Sequence, residues 1–480
     1  MEYRLVVTES SFNKITVSDD PSVEHLVYSF GSVSRYGNVV EFVLRDSRTL
    51  RNEEYLHRSA GLVETSHELA WEVWHRSSGY GVLISSHTHL GSSYFSSTDN
   101  AQDFRICQNV LGFCDNYVRI VSGADGIVAE VISCVDKTWK PVDLIKIVGR
   151  TGMRWVTPKN SSLSQDCPRL EEAVHDRTLR VGPGAREALE SISRCTFGFV
   201  GAGGGNSVVA QFLKFYSPAG MIFVDPDRVE IHNANRFLGF RKGDVGRFKV
   251  KVLAREIRQF DPEIKVRGCR AFFPEGDSVE ALKAADVLVS FPDNDATRYD
   301  LAVFAARFHK PLFDAGTLIS YAGGLEPCRI TARVLSQLPE GPCLHCLGVV
   351  GGYGPRIEEE VRQAQASYSD RPDLAPAPQV VTTNAFAASL VVRNILAYFY
   401  PGLVSHVPAY LQFEELEPSV QDLSHFFPRR PGCPVCGDAF EAERGWADAS
   451  PMKRLLQSPV DDGDDSLLIA SLVAAEPDRG

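Results

Sequence analysis

Apolar positions in the first 155 residues come in short runs broken by turn residues. "EHLVYSFGS" and "NVVEFVLRD", rich in β-branched and aromatic residues, predict strands. "SHELAWEVWHRSSG" has a longer period: Leu69, Ala70, Val73 and Trp74 share one face, Ser66 offers an N-cap and Gly79 a stop. "YGVLISSHTH" predicts another strand, and "VRIVSGA" with "GIVAEVISCV" completes a sheet, so this part is read as α+β. The pattern then changes. A helix, "AREALESISR", leads into the strand "CTFGFVG". "MIFVD", "FKVKVLAREIRQF", "IKVRGCRAF", "VEALKAADVLVSF" and "ATRYDLAVFAARF" then alternate strand and helix, which predicts a Rossmann-like, doubly wound parallel sheet of the α/β class. The polar stretch "TPKNSSLSQDCP" lies between the two patterns. The expected division is residues 1–155, a linker over 156–175, a second domain over 176–440, and an acidic, partly disordered tail over 441–480 that contains "DDGDD".

Composition narrows the class. A chain of 480 residues is too long for one core. With 44% hydrophobic and 23% charged residues it reads as a soluble globular protein. No run approaches the roughly 18 consecutive apolar residues of a membrane span, and "MEYRLVVTESSF" lacks the plan of a secretory signal. A net charge of −11 argues against general nucleic-acid binding. Four of the eleven cysteines form two C-x-x-C pairs, which fits a cytoplasmic, reducing environment and a metal better than a disulfide framework.

His87 and His89 stand at i and i+2 near a strand end, so both side chains project to one side. Two imidazoles so placed can hold one zinc ion, and Asp99 can supply a third ligand. A fourth position is then left for water, as in catalytic zinc sites. A carboxylate is also needed to take the proton of that water. A bare H-x-H is more often a pair of surface histidines at a strand end. The following S-x-x-D, Ser96 to Asp99, makes the stretch resemble the JAMM (MPN+) metalloprotease family, over roughly residues 1–150. The resemblance implies His87, His89 and Asp99 as zinc ligands and Glu24, in "VEHLVYSFG", as general base. It implies Ser96 as the residue that binds the oxyanion, and cleavage of peptide or isopeptide bonds after the C-terminus of ubiquitin-like proteins. Leu90 stands where the family's proline follows the second histidine.

"FGFVGAGGGNS" places Gly201, Gly203, Gly204 and Gly205 between a strand and a helix. Such a turn lets backbone N–H groups approach phosphates. Asp225, ending the next strand, is placed for a ribose. These features alone suit NAD, FAD or ATP. Arg236 and Lys249 add two cations and Asp293 an extra carboxylate, which suits a triphosphate with Mg2+.

In order along the chain, the glycine turn, Asp225 with Asp227, Asn233 with Arg236, Lys249, Asp293 with Arg298 and the paired cysteines resemble the ThiF/MoeB and ubiquitin-activating adenylyltransferases, over roughly residues 170–437. Asn206 takes the place of the last glycine of the motif. The resemblance implies ATP-dependent adenylation of the C-terminal glycine of a ubiquitin-like or sulfur-carrier protein. Cys343, Cys346, Cys433 and Cys436 would hold a structural zinc with no open position. "HDRTLRVGPGAREAL" resembles the segment that carries an arginine finger into a partner's site; Arg177 is the first candidate and Arg180 the second, and a homodimer follows. No cysteine lies between Cys346 and Cys433, where a thioester-forming crossover-loop cysteine would be. Either the adenylate passes to a conjugating enzyme or a sulfur donor, or a cysteine elsewhere acts, Cys328 being nearest. The pairing of both halves implies a bifunctional enzyme of a bacterial conjugation or defence pathway. Two readings compete with it: sulfur-carrier activation for thiocarboxylate formation, and an adenylyltransferase with a non-catalytic JAMM-like scaffold.

Overall fold

The computed structural model describes residues 1–437 apart from 19, 60–62, 164–170, 322–326, 351–380 and 417. The predicted tail, most of the crossover loop and the middle of the predicted linker therefore lie outside the described residues, as does the side chain of Cys328.

The N-terminal half begins with a strand (β1, Glu2–Thr8) and a helix (α1, Glu9–Thr16) that the apolar pattern did not reveal. The two expected strands follow, β2 (Leu26–Tyr36) and β3 (Val39–Thr49), paired antiparallel, then a small pair, β4 (Tyr55–Arg58) and β5 (Val63–Thr65). Helix α2 (His67–Ser77) starts as predicted, with the Ser66 hydroxyl accepting from Leu69 N–H. It leads into β6 (Val82–Thr88), helix α3 (Ser97–Val110) and the strands β7 (Asn116–Gly123), β8 (Gly126–Ser133), β9 (Lys140–Pro141), β10 (Leu144–Gly149) and β11 (Gly152–Val156). One nine-stranded sheet results, in the order β11-β10-β1-β3-β2-β6-β7-β8-β9.

Helix α4 (Glu172–Leu179) begins inside the predicted 156–175 linker, and α5 (Ala185–Arg194) precedes the second sheet. The sheet's parallel part is β12 (Thr196–Val200), β13 (Gly220–Val224), β14 (Lys265–Cys269), β15 (Val287–Ser290) and the start of β16 (Leu312–Tyr321). Helices α6 (Gly204–Leu213), α7 (Lys249–Phe260), α8 (Ser278–Lys283) and α9 (Asp295–Arg307) connect these strands. The sheet is not parallel throughout. β17 (Pro327–Gln337), β18 (Tyr410–Glu414) and β19 (Ser419–Asp422) extend it antiparallel, to the order β14-β13-β12-β15-β16-β17-β18-β19. A long apolar helix, α10 (Val381–Phe399), packs against α6, β16 and β17. No helix among the described residues is long and apolar enough to cross a membrane.

The two sheets meet along a buried seam. Leu5, Val7, Phe42, Leu44, Ile145 and Ile147 point into the N-terminal core. Their neighbours Val6, Val43 and Val148 point the other way, into the core of the second half. Strands buried on both faces show no alternation of apolar and polar residues, which is why β1 and β10 escaped the pattern. Polar links reinforce the seam: Lys146 reaches Asp286 at 2.7 Å and Glu41 at 3.3 Å, and the Tyr398 hydroxyl donates to the Gly152 carbonyl at 2.8 Å.

Candidate functional site

In the parallel part of the second sheet the chain reverses direction of winding between β12 and β15. The loops leaving these strands diverge, and a crevice opens at their carboxyl ends. A cavity of about 660 Å³ lies there, lined by Gly201, Gly203, Gly204, Asp225, Asp227, Asn233, Arg236, Lys249 and Asp293. Every residue predicted at the nucleotide except Arg177 is thus gathered in one place. Arg177 is exposed on α4 and is not among the lining of its own chain's cavity.

Local chemistry explains the turn. Gly201 has φ +83°, where a side chain is strained. A Cβ on Gly205 would fall 2.2 Å from the Phe291 ring, so the glycine lets the loop after β15 close against the loop after β12. Asn206 does by hydrogen bonding what the missing glycine does by absence: its amide donates to the carbonyls of Val200 at 2.9 Å and Gly201 at 2.6 Å.

Asp225 is buried and accepts from the N–H groups of Ala202 at 2.6 Å and Asp227 at 2.7 Å. Burial raises its carboxyl above the usual range. Lys249, the first residue of α7, lies 2.7 Å from Asp227. Arg236 donates to the His232 carbonyl at 2.8 Å, and burial lowers its pKa. Arg298 is turned inward, with Nε to Asp314 at 3.1 Å and Nη2 to the Pro292 carbonyl at 2.7 Å, so it anchors the loop that carries Asp293. Sequence reasoning missed the far wall. Arg329, Thr331 and Arg333 of β17 and Tyr410 and Gln412 of β18 also line the cavity.

The four thiols of Cys343, Cys346, Cys433 and Cys436 lie within 4.8 Å of one another. Cys343 and Cys433 sulfurs are 3.5 Å apart and Cys346 and Cys436 sulfurs 3.6 Å, far beyond the ~2.05 Å of a disulfide. A tetrahedron with ~2.3 Å metal–sulfur bonds has edges of about 3.8 Å, so the donor set fits one zinc ion. N–H groups of Arg430 and Val435, each 3.4 Å from a sulfur, favour the thiolate form. His345 Nδ1 lies 3.6 Å from Cys433 Sγ and 2.7 Å from Arg430 Nη2.

In the N-terminal half, His87 on β6 and His89 just beyond it meet Asp99 on α3. His87 Nε2 is 3.2 Å from His89 Nε2 and 3.2 Å from Asp99 Oδ1, and His89 Nε2 is 3.5 Å from Asp99 Oδ2. Metal–ligand bonds of ~2.0–2.1 Å at tetrahedral angles give edges of about 3.3 Å, so this donor set also fits zinc. Burial opposes the charge on Asp99, but hydrogen bonds from both histidines outweigh it and hold the carboxyl well below its usual range. Glu24, buried, has Oε1 3.9 Å from His89 Nε2. Burial raises its carboxyl, against the pull of His87 and His89. Ser96 caps α3: its Oγ accepts from Asp99 N–H at 3.1 Å while its own N–H donates to Asp99 Oδ2 at 2.7 Å, leaving the hydroxyl proton free to donate. Asp125, which no motif marked, ties down the loop between His89 and Ser96 by accepting from Ser93 N–H and Oγ–H at 2.6 and 2.9 Å.

Residues 175–435, more than half of the chain, match the family model described as the ThiF family. The sulfur carrier protein adenylyltransferase of Thermus thermophilus is 28% identical over 259 residues, spanning 54% of this chain and 87% of that protein. The SAMP-activating enzyme E1 of Haloferax volcanii is 29% identical over 187 residues, 39% of this chain and 64% of that protein. The adenylyltransferase and sulfurtransferase uba4 of Aspergillus clavatus is 31% identical over 148 residues, but this chain spans only 30% of its length. Among solved structures, E. coli MccB with MccA-N7isoASN superposes with a TM-score of 0.45 at 16% identity, covering 86% of this chain and 100% of that one. The family match covers the residues that form the crevice and three of the four clustered cysteines, ending one residue before Cys436: the chain belongs to the ThiF family.

Proposed function

We propose that this chain is an ATP-dependent adenylyltransferase that activates the C-terminal glycine of a ubiquitin-like or sulfur-carrier protein, with a second, hydrolytic centre acting after such a terminus. The single cavity that collects the glycine turn, Asp225, Arg236, Lys249 and Asp293 carries the first part. Backbone N–H groups of the turn receive phosphates, Asp225 a ribose hydroxyl, and Arg236 and Lys249 neutralise phosphate charge. Asp293 is the carboxylate suited to Mg2+. A carboxylate oxygen of the substrate attacks the α-phosphorus, the bond to the β-phosphate oxygen breaks, and pyrophosphate leaves with the electron pair. The chain's work is positioning and charge neutralisation. Arg177 of a second copy is the proposed arginine finger. The relatives named for sulfur carriers and SAMP activation support a carrier of this kind as substrate. The test is ATP–pyrophosphate exchange in the presence of a small carrier ending in glycine; no exchange with any such carrier refutes the reading.

Agreement of the His87, His89 and Asp99 spacing with a tetrahedral site, and Glu24 beside it, support the hydrolytic centre. Zinc bound there would lower the pKa of a coordinated water to about 7. Glu24 would take its proton and deliver it to the departing amine, and the Ser96 hydroxyl would donate to the oxyanion. Carriers extended beyond the terminal glycine, or linked through it to lysine, are the substrates to assay.

The absence of cysteine between Cys346 and Cys433 favours a product that leaves as the adenylate or is converted to a thiocarboxylate. Mass spectrometry of the carrier after reaction with ATP and a sulfide donor separates the routes. Exchange of oxygen for sulfur supports the sulfur route, and a lysine-linked adduct supports conjugation.

A further inference from the structure

The cavity's far wall holds a charge the nucleotide residues do not use. β16 and β17 pair with Gly316 opposite Arg333, and β17 pairs with β18 so that Arg333 stands opposite Gln412. Gly316, Arg333 and Gln412 form one row across the sheet, all lining the cavity. A Cβ on Gly316 would lie 3.1 Å from Arg298 Nη2 and 3.7 Å from Arg333 Nε, so the two guanidinium groups share the space above the glycine.

Their surroundings differ. Arg298 is neutralised by Asp314. The other lining cations are also occupied: Lys249 by Asp227, Arg329 by Glu414 at 2.7 Å, and Arg236 by a carbonyl. Arg333 alone among these has no hydrogen-bond or ion-pair partner among the described residues, although it is half-buried and beside a second cation. A guanidinium in such a place is set for a planar anion that it can meet with two parallel N–H donors.

We infer that Arg333 binds the C-terminal carboxylate of the acyl substrate and presents it to the α-phosphate. Thr331 and Gln412 flank it as neutral donors for the preceding peptide groups. The inference rests on the adenylation reading above. The phosphates already have the glycine turn, Arg236 and Lys249 on the opposite wall. A carboxylate arriving along β17 meets Arg333 on the sheet face that also carries Gly316.

The test compares wild type and Arg333→Gln, with melting temperature checked for both. Pyrophosphate exchange is measured against carrier and ATP concentrations. Binding of a peptide ending in Gly-Gly as free acid is compared with that of its C-terminal amide, with a non-hydrolysable ATP analogue and Mg2+ present. The substitution should raise the carrier KM about tenfold to a hundredfold, leave the ATP KM within about twofold, and abolish the preference for acid over amide. Arg333→Lys, which keeps the charge but not the fork, should recover only part of it. If the variant keeps wild-type preference and carrier KM, or the loss falls on the ATP KM instead, the assignment is overturned while the adenylation reading stands. Failure of the wild-type enzyme to exchange pyrophosphate with any glycine-ended carrier would overturn both.

Discussion

Lys146 of the N-terminal half ends 2.7 Å from Asp286 of the C-terminal half, and both side chains are nearly excluded from solvent. Asp286 also accepts from Thr196 N–H at 2.9 Å, and Lys146 has Glu41 at 3.3 Å on its own side. The pair therefore crosses the seam inside a satisfied network. Removing one member strands the other charge in the interior, typically at a cost of about 3–5 kcal/mol, whereas removing both is far milder. Lys146→Met, which leaves the buried carboxylates of Glu41 and Asp286 without their shared counter-ion, should lower the urea midpoint sharply, and adding Glu41→Gln and Asp286→Asn should restore much of it. A single variant as stable as wild type would show that water reaches the pair.

The seam is also acid-sensitive. Burial raises the carboxyls of Glu41 and Asp286, but Lys146, with Lys310 and, at Asp286, the Thr196 N–H adding to it, outweighs burial and holds them below their ordinary 4.5 and 3.8. Below those values the unfolded chain binds more protons than the folded one, so stability present above about pH 4.5 is lost as pH falls. His309 Nε2 donates to the Leu44 carbonyl across the same seam, 2.7 Å away. Burial, with Arg45 adding, lowers it to about 4 from 6.5. The unfolded imidazole protonates first, so stability also declines between pH 6.5 and 4. Melting temperature should fall throughout that window and more steeply below it. His309→Gln should flatten the upper part only; an unchanged profile in that variant would remove His309 from the account.

The two proposed centres should fail separately. Asp293→Ala should reduce pyrophosphate exchange by at least a hundredfold and leave hydrolysis of an extended carrier unchanged. Glu24→Gln should do the reverse while retaining zinc. Persistent hydrolysis in Glu24→Gln would mean that another group takes the proton.

Metal content gives an independent reading. Purified protein should carry about two zinc ions per chain. Cys433→Ser should lower the count by one and the melting temperature by several degrees, because four thiolates clamp segments far apart in sequence. Loss of zinc without loss of stability would mark the cysteine cluster as dispensable.

Residue patterns made most of the centres legible because their parts are local. His87 and His89 obey strand periodicity, Ser96 and Asp99 form a reciprocal cap, and the glycine turn is contiguous. Glu24 was reached only through family resemblance, since its approach to His89 depends on the pairing of β2 with β6. What stayed hidden is long-range. Lys146 and Asp286 are 140 positions apart. Arg333 reads as an ordinary half-exposed strand residue until the register sets it opposite Gly316 and Gln412. The antiparallel extension was missed because the regular alternation of one strand with one helix ends at β16: β17 follows it after a short connection, and β18 and β19 come only after the long α10.

Because Val6, Val43 and Val148 finish the other half's core and Lys146 takes its counter-ion from it, neither half is a natural fragment. An excised N-terminal piece would carry a bare apolar face with the Lys146–Glu41 pair laid open to water in its middle, inviting aggregation. Dissecting the protein by scissors would thus misreport both chemistries; point substitutions in the intact chain are the instrument that its architecture permits.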